Sequence, residues 1–281
     1  MKVVLVGGRG FFGSAASAQL RSDGHEVVTV DPAPGPTNHL QADILDTARL
    51  VEGFRDADAV INFVGLTPVR KPKKGLYQKI HVEGAASVAL ACEQARVGML
   101  VHVSALGACM DAPTAFLRTK AAGEQVLDVF SGSTLILRPS ALLAEDNELI
   151  QMLKRLSVTR MFFRTTGVLQ PLYLPDAAQF LSACLHESVT GVVEVAGPDL
   201  LTLADIARLV YAREERACIL LPSWLARLGA TTLALLPRTR IGFDQVRSLT
   251  LHNTLVPTSG VRQEILSTSI TDWLVGAKNP S

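Results

Sequence analysis

The chain is short of several things that would narrow its function quickly. Charge of one sign is absent: 27 Lys and Arg stand against 26 Asp and Glu, a net charge of +1. That balance argues against a nucleic-acid or membrane-surface protein. Cysteine is scarce and scattered, with Cys92, Cys109, Cys184 and Cys218 far apart. No two of them have metal-ligand or redox spacing, so no metal is expected, and their use suits a reducing compartment. No apolar run of about 18 residues exists, which excludes a spanning helix. Internal repeats and low-complexity segments are missing too. The first strand starts at residue 2, so no leader peptide is expected. The expected location is the cytoplasm, with a peripheral position at an inner membrane in reach.

What is present is an alternation of strands and helices in 281 residues, 48% of them hydrophobic. "KVVLV" (2–6), "HEVVTVD" (25–31), "HLQAD" (39–43), "DAVINFVG" (58–65), "MLVHVSALG" (99–107) and "STLILRPS" (133–140) are short apolar, β-branched runs. Segments 12–24, 47–57, 77–98 and 114–130 between them have helical spacing. This order predicts βαβ units and a Rossmann-type, doubly wound parallel sheet. Residues 1–165 are expected to form that α/β domain, with 176–196 returning to its sheet. Residues 166–281 are expected to form a smaller, mainly helical C-terminal lobe.

"VGGRGFFG" carries the first chemistry. Gly7, Gly10 and Gly13 stand three apart after a strand and open a helix. Gly7 suits a tight turn, Gly10 a close backbone approach, and Gly13 helix–strand packing. With Arg9, Phe11 and Phe12 they would meet the diphosphate of a dinucleotide at a helix N-terminus. A plain surface turn is the alternative. Asp31 ends strand two, where a carboxylate binds ribose hydroxyls and repels a 2′-phosphate. Arg9 pulls the other way, toward NADP, or is simply a solvated loop arginine. The expected cofactor is NAD or NADP, with NAD preferred on Asp31.

These glycines, Asp31, "QADILD" (41–46), "NFVG" (62–65), "HVSALG" (102–107) and "FLRTKAAGE" (116–124) occur in the order of the extended and atypical short-chain dehydrogenase/reductase superfamily. More narrowly, the chain resembles the group typified by complex I alpha-subcomplex subunit nine, through "HVSALGA", "RTKAAGEQVL", "LRPSAL", "QPLYLPDAAQF", "VVEVAGPDLLTLADI", "LPSWLARL" and "FDQVRSLTLHN". The resemblance implies that Asp43 and Ile44 flank an adenine and that Phe63, Val64 and Gly65 line the cofactor. It also implies that Lys120 binds the nicotinamide ribose and that Ser104 takes the catalytic serine's place. Each has a bland alternative: Asp43 a helix cap, Ser104 a backbone-satisfying hydroxyl, Lys120 a solvated helix lysine.

The superfamily's proton donor is a tyrosine four residues before the lysine; here that position is Phe116. A phenyl ring cannot do acid–base work, and losing a positioned acid removes roughly a hundred- to ten-thousand-fold of rate. Two readings stay open. One is a dinucleotide-binding accessory or sensor protein that meets a protein partner or membrane-associated complex through its C-terminal lobe. The other is a reductase or epimerase using Lys120 or another acid, with His81, Asp111, Tyr77 and Tyr173 as further candidates. Two surface features remain. "RKPKK" (70–74) reads as a solvated loop or an anion contact, and "PSWLARLGATTLALLP" (222–237) as lobe core or an interaction helix.

Overall fold

Strand β1 (Lys2–Val6) is a β-branched run with four of five residues buried, as a strand covered on both faces requires. It pairs in parallel with β2 (Glu26–Asp31) and β4 (Ala59–Asn62) on its two sides. Beyond β2 lies β3 (His39–Gln41). Beyond β4 come β5 (Met99–Val103) and β6 (Ser133–Pro139). The chain reverses its direction of travel across the sheet between β1 and β4, so the carboxyl ends of those two strands border a crevice. The computed structural model describes residues 1–35, 37–67, 72–224 and 250–276. Arg70 and Lys71 of the basic run and residues 225–237 of the proline-bounded segment lie outside the described residues.

Helices cover both faces. On one, α1 (Phe11–Ser22) packs on α6 (Leu174–His186), over a core that includes Leu5, Leu20, Val101, Leu137 and Leu181. On the other, α2 (Thr47–Gly53) and α3 (Gly84–Ala95) enclose Val4, Leu50, Phe54, Val88 and Leu100. Leu100 is fully buried, and its truncation to Ala would cost about 2–5 kcal/mol. Strand register puts even-numbered residues of β5 on this second face, which the chemistry below depends on.

Two helices differ from the continuous ones read from spacing. The segment 77–98 begins with a π-helical turn, Gln78–Glu83, before α3. The segment 114–130 is α4 (Ala115–Gln125) followed by a 3-10 turn, Val126–Val129. Thr114 caps α4 by accepting from the Leu117 N–H, which satisfies one of the free amides of its first turn.

After β6 the chain builds the smaller lobe. It contributes the short strands β7 (Leu142–Leu143), β8 (Met161–Phe163), β9 (Val168–Leu169) and β10 (Leu172–Tyr173), and helix α5 (Glu148–Leu156). Strand β11 (Gly191–Ala196) joins β6 in the main sheet. Then follow β12 (Leu201–Thr202), α7 (Leu203–Arg213) and β13 (Ile219–Leu221). The lobe's core gathers Leu143, Ile150, Leu153, Phe162, Ile206, Val210, Tyr211 and Leu274. Packing therefore places residues 143–162 with the lobe. The reading of residues 166–281 as a mainly helical lobe missed β14 (Arg262–Ile265), which pairs with β11 as the eighth strand of the sheet. Its sequence, RQEI, has no apolar run, because an edge strand is held by backbone pairing more than by burial.

Candidate functional site

At the crevice, Gly7 adopts φ +76°, a conformation that favours glycine, and its N–H donates to the Val30 carbonyl at 2.8 Å. A Cβ on Gly7 would lie 2.8 Å from Val64 Cγ2, and one on Gly13 would strike the Gly7 carbonyl and sit 2.8 Å from Gly8 Cα. The loops after β1 and β4 therefore meet with no side chain to spare. Helix α1 starts at Gly10 with no side-chain cap and no acid in its first turn. Its amino end keeps its free N–H groups and its positive dipole. Phe11 is partly buried. Phe12 is buried in the core, edge-on to Phe63 with centroids 5.1 Å apart.

Asp31 lies beside this turn with a buried Oδ2 that has no hydrogen-bond partner among the described residues. Burial pushes its pKa up, against the Arg9 backbone amide, His39 and the Arg9 guanidinium. The guanidinium itself is tied down, donating to the Pro34 carbonyl at 2.7 Å and the Ala33 carbonyl at 3.4 Å. Asp43 is exposed and accepts from the Leu45 N–H at 3.0 Å. The cap of α2 is Asp46, not Asp43. Ile44 is buried against Gly84 at the start of α3.

The second half of the site is a polar layer between the sheet and the helices α3 and α4. Lys120 is buried, which excludes its reading as a solvated helix lysine, and its Nζ donates to the Val103 carbonyl at 2.9 Å. Burial lowers its pKa to about 8, partly opposed by Glu124. A Cβ on Gly65 would come within 2.8 Å of Lys120 Nζ. His81, on the π-helical turn, accepts from the Leu66 N–H through Nε2 at 3.0 Å. That fixes the proton on Nδ1, which donates to the Thr119 hydroxyl at 2.9 Å. Burial, with Lys120 nearby, pushes the His81 pKa down to about 3.

Phe116 sits one helical turn before Lys120. Its ring stands edge-on to Tyr77 and to His81, with centroids 6.0 and 5.7 Å away, and Tyr77 stacks on His81 at 5.1 Å. Phe116, Tyr77 and His81 thus form one aromatic cluster a helical turn from Lys120. Ser104, at the end of β5, donates its hydroxyl to Glu124. Glu124 in turn holds Arg138 through two contacts, Nη2–Oε2 at 2.6 Å and Nε–Oε1 at 2.9 Å. Arg138 continues to Glu194 at 3.2 Å, and Glu194 accepts from Gln263 of β14 at 2.8 Å. The other acid candidates are not brought to this cluster: Asp111 is in an exposed loop, and Tyr173 packs on Trp273 in the lobe.

Sequence reading missed Asn62, His102, Glu124, Arg138 and Asn253. Asn62 pairs with His102 on adjacent strands, Nδ2 to Nδ1 at 3.3 Å, and accepts from the Val64 N–H. His102 Nε2 is buried without a hydrogen-bond partner among the described residues. Asn253 donates to the Leu106 carbonyl and accepts from Ser140, fastening the loop after β5 to the lobe. The usable signal was a polar residue inside an apolar strand run, as in "AVIN" and "MLVHV". Such residues are buried and need partners. No group of three or more His, Cys, Asp or Glu suited to a metal ion exists among the described residues. No helix among them is long and apolar enough to cross a membrane.

Residues 3–131 match the NAD dependent epimerase/dehydratase family. Among curated proteins, the mitochondrial NADH-ubiquinone oxidoreductase 40 kDa subunit of Neurospora crassa is 28% identical, over 61% of this chain and 46% of that protein. NADH dehydrogenase (ubiquinone) 1 alpha subcomplex subunit 9, mitochondrial, of Arabidopsis thaliana is 26% identical over 81% of this chain and 56% of that protein. The chain thus spans about half the length of the curated relatives it matches. Among solved structures, Thermus thermophilus UDP-glucose 4-epimerase in complex with NAD superposes with a TM-score of 0.67 at 20% identity, covering 89% of this chain and 97% of that one. Bacillus anthracis dTDP-4-dehydrorhamnose reductase in complex with NADP gives 0.66 at 20% identity, over 79% and 84%. At that identity the likeness is one of fold. The eight-stranded parallel sheet and its glycine turn make the chain a Rossmann-fold protein, whose residues 3–131 match the NAD dependent epimerase/dehydratase family and which is similar to mitochondrial NADH-ubiquinone oxidoreductase subunits.

Proposed function

We propose that this chain holds a nicotinamide dinucleotide at the crevice without ordinary dehydrogenase turnover, and serves as an accessory or sensing component of a larger assembly. The residues present suit such a group. The Gly7–Gly13 turn is packed too closely to admit a Cβ at Gly7 or Gly13, so it presents bare backbone at the crevice, and Asp31 offers a buried carboxylate oxygen with no partner among the described residues. Gly7, Arg9, Gly10, Phe11 and Gly13 would face the diphosphate and Asp31 the adenosine ribose. Asp43 would lie by the adenine, with Ile44 behind it, and Val64, Gly65 and Lys120 by the nicotinamide side. Phe12 and Phe63 support that surface from the core. A bound nicotinamide supplies hydride chemistry. Asp31 favours NAD, because a carboxylate there repels a 2′-phosphate.

The observation that carries the reading is Phe116. Its ring has no titratable oxygen, and three nearby groups are engaged elsewhere: Ser104 with Glu124, His81 with Leu66 and Thr119, Lys120 with Val103. The names of the curated relatives support a place in a respiratory assembly; the contact would be made through the smaller lobe. A second reading, a reductase or epimerase with Lys120 as the acid, is favoured by one observation, the lowering of the Lys120 pKa to about 8. That value suits proton exchange near neutrality.

The test begins with mass spectrometry of nucleotide released from the denatured purified protein. NAD(H) is expected; NADP(H) alone would overturn the cofactor preference. In the presence of either dinucleotide and a panel of nucleotide sugars, the unmodified protein and Phe116→Tyr should both show no hydride transfer. Turnover by the unmodified protein, abolished in Lys120→Ala, would establish the second reading.

A further inference from the structure

The π-helical turn before α3 has a consequence for how the two halves of the crevice are built. In that turn the Gly84 N–H donates to the Lys79 carbonyl, five residues back. π-helical turns of this kind recur at functional sites. The wider turn carries His81, which is only 2% exposed. His81 reaches two elements at once: the loop after β4, at the Leu66 N–H, and α4, at Thr119, the residue before Lys120. Helix α4 also lies against the turn, because Gly123 lets it approach the His81 carbonyl where a Cβ would collide. Both bonds of the imidazole are thus internal, and neither faces the glycine turn or Asp31.

We propose that His81 is a positioning residue, a strut that fixes Val64–Leu66 against α4 and so sets the half of the crevice beside Lys120 more than the half beside Asp31, which the loop touches only where Val64 abuts Gly7. This rests on the dinucleotide reading above. The strut needs an acceptor at Nε2. Without it the partly buried Leu66 N–H has no partner, and the loop has no tie to α4 through this side chain. A Gln side chain places a carbonyl oxygen near where Nε2 stands. A Phe side chain fills the space and accepts nothing.

The experiment compares binding of NAD(H) with binding of ADP-ribose, which lacks the nicotinamide, by calorimetry on the unmodified protein, His81→Phe and His81→Gln. Circular dichroism and thermal unfolding check each fold. His81→Phe is expected to weaken the dinucleotide about tenfold, with ADP-ribose weakened much less. His81→Gln is expected to recover most of the loss. Equal weakening of both ligands in folded His81→Phe would show a general structural role and overturn the proposal, as would dinucleotide binding equal to that of the unmodified protein. Should the unmodified protein bind neither ligand, the dinucleotide reading itself fails, which is a different result from either of these. If His81→Phe does not fold, His81→Gln decides alone: retained dinucleotide affinity upholds the strut, and a loss shared with ADP-ribose overturns it.

Discussion

Glu124 and Arg138 form a two-contact ion pair at the carboxyl end of the sheet, 2.6 and 2.9 Å, and the same carboxylate accepts a hydrogen bond from the Ser104 hydroxyl. The pair joins α4 to β6, so the helix that carries Phe116 and Lys120 is fixed to the sheet by charge as well as by packing. Both side chains are largely buried. Breaking one partner of such a pair leaves an uncompensated charge, which costs about 3–5 kcal/mol. Arg138→Met should lower the urea midpoint accordingly. Arg138→Met combined with Glu124→Gln should recover part of it. Equal destabilisation by the single and double variants would show that the pair is not coupled.

Stability should fall on mild acidification because of two histidines. His81 and His102 both have pKa values lowered to about 3, chiefly by burial, from an ordinary value near 6.5. Between those values the unfolded chain binds protons that the folded chain refuses, so stability rises with pH across that window. Their contribution is complete above about pH 6.5 and is lost progressively as pH drops toward 3. Urea unfolding at pH 7 and pH 5 should show the loss, and His102→Gln should flatten it. A pH-independent midpoint in the unmodified protein would contradict the burial of both rings.

Lys120 works against stability in the ligand-free protein. Its ammonium is buried, and its pKa falls to about 8 from an ordinary 10.4 or so. The penalty is full below pH 8 and shrinks between 8 and 10.4, as the unfolded chain is left carrying the extra proton. Lys120→Met should therefore raise Tm at pH 7, and the gain should diminish by pH 10. The same variant should weaken dinucleotide binding about tenfold or more, since a buried donor is lost. A lower Tm at pH 7 would mean that the bond to the Val103 carbonyl outweighs the desolvation.

The glycine turn makes a steric prediction. Gly13→Ala sets a Cβ against the Gly7 carbonyl and Gly8 backbone, neither of which is the end of a flexible side chain. Overpacking of this kind costs about 1–3 kcal/mol. Gly24→Ala meets no atom within 4 Å, but its φ of +82° gives it a purely conformational cost. Gly13→Ala should lose dinucleotide binding outright, whereas Gly24→Ala should lose stability and keep its affinity. Retained affinity in Gly13→Ala would place the diphosphate elsewhere.

Much of the sheet was legible because buried parallel strands are written as unbroken β-branched runs, and each of the first six was matched by a strand in the expected order. The exception at the far edge, Arg262–Ile265, carries no such run. The lobe was harder to read, because its short strand pairs are held by a few hydrogen bonds that depend on distant partners, such as Asn253 with Leu106 and Ser140. Among the site residues, Lys120 was legible from its motif. Its burial was not, because the carbonyl that receives it belongs to a strand 17 residues away.

Local spacing alone determined that a strand could end in a glycine turn and pass into a helix, since the freedom to adopt a φ near +76° and the absence of Cβ atoms are properties of glycine wherever the chain goes. It likewise determined that the place four residues before Lys120 holds no phenol. Which groups surround that vacancy of chemistry was decided only in three dimensions. The strand register brings Asn62 beside His102, the π-helical turn brings His81 to Leu66 and Thr119, and the sheet order brings Glu124, Arg138 and Glu194 into one line. Each of those meetings joins residues between 14 and 56 positions apart, and a hydrogen bond reaches about 3 Å. No spacing along the chain can encode contacts that exist only once the sheet has closed over them.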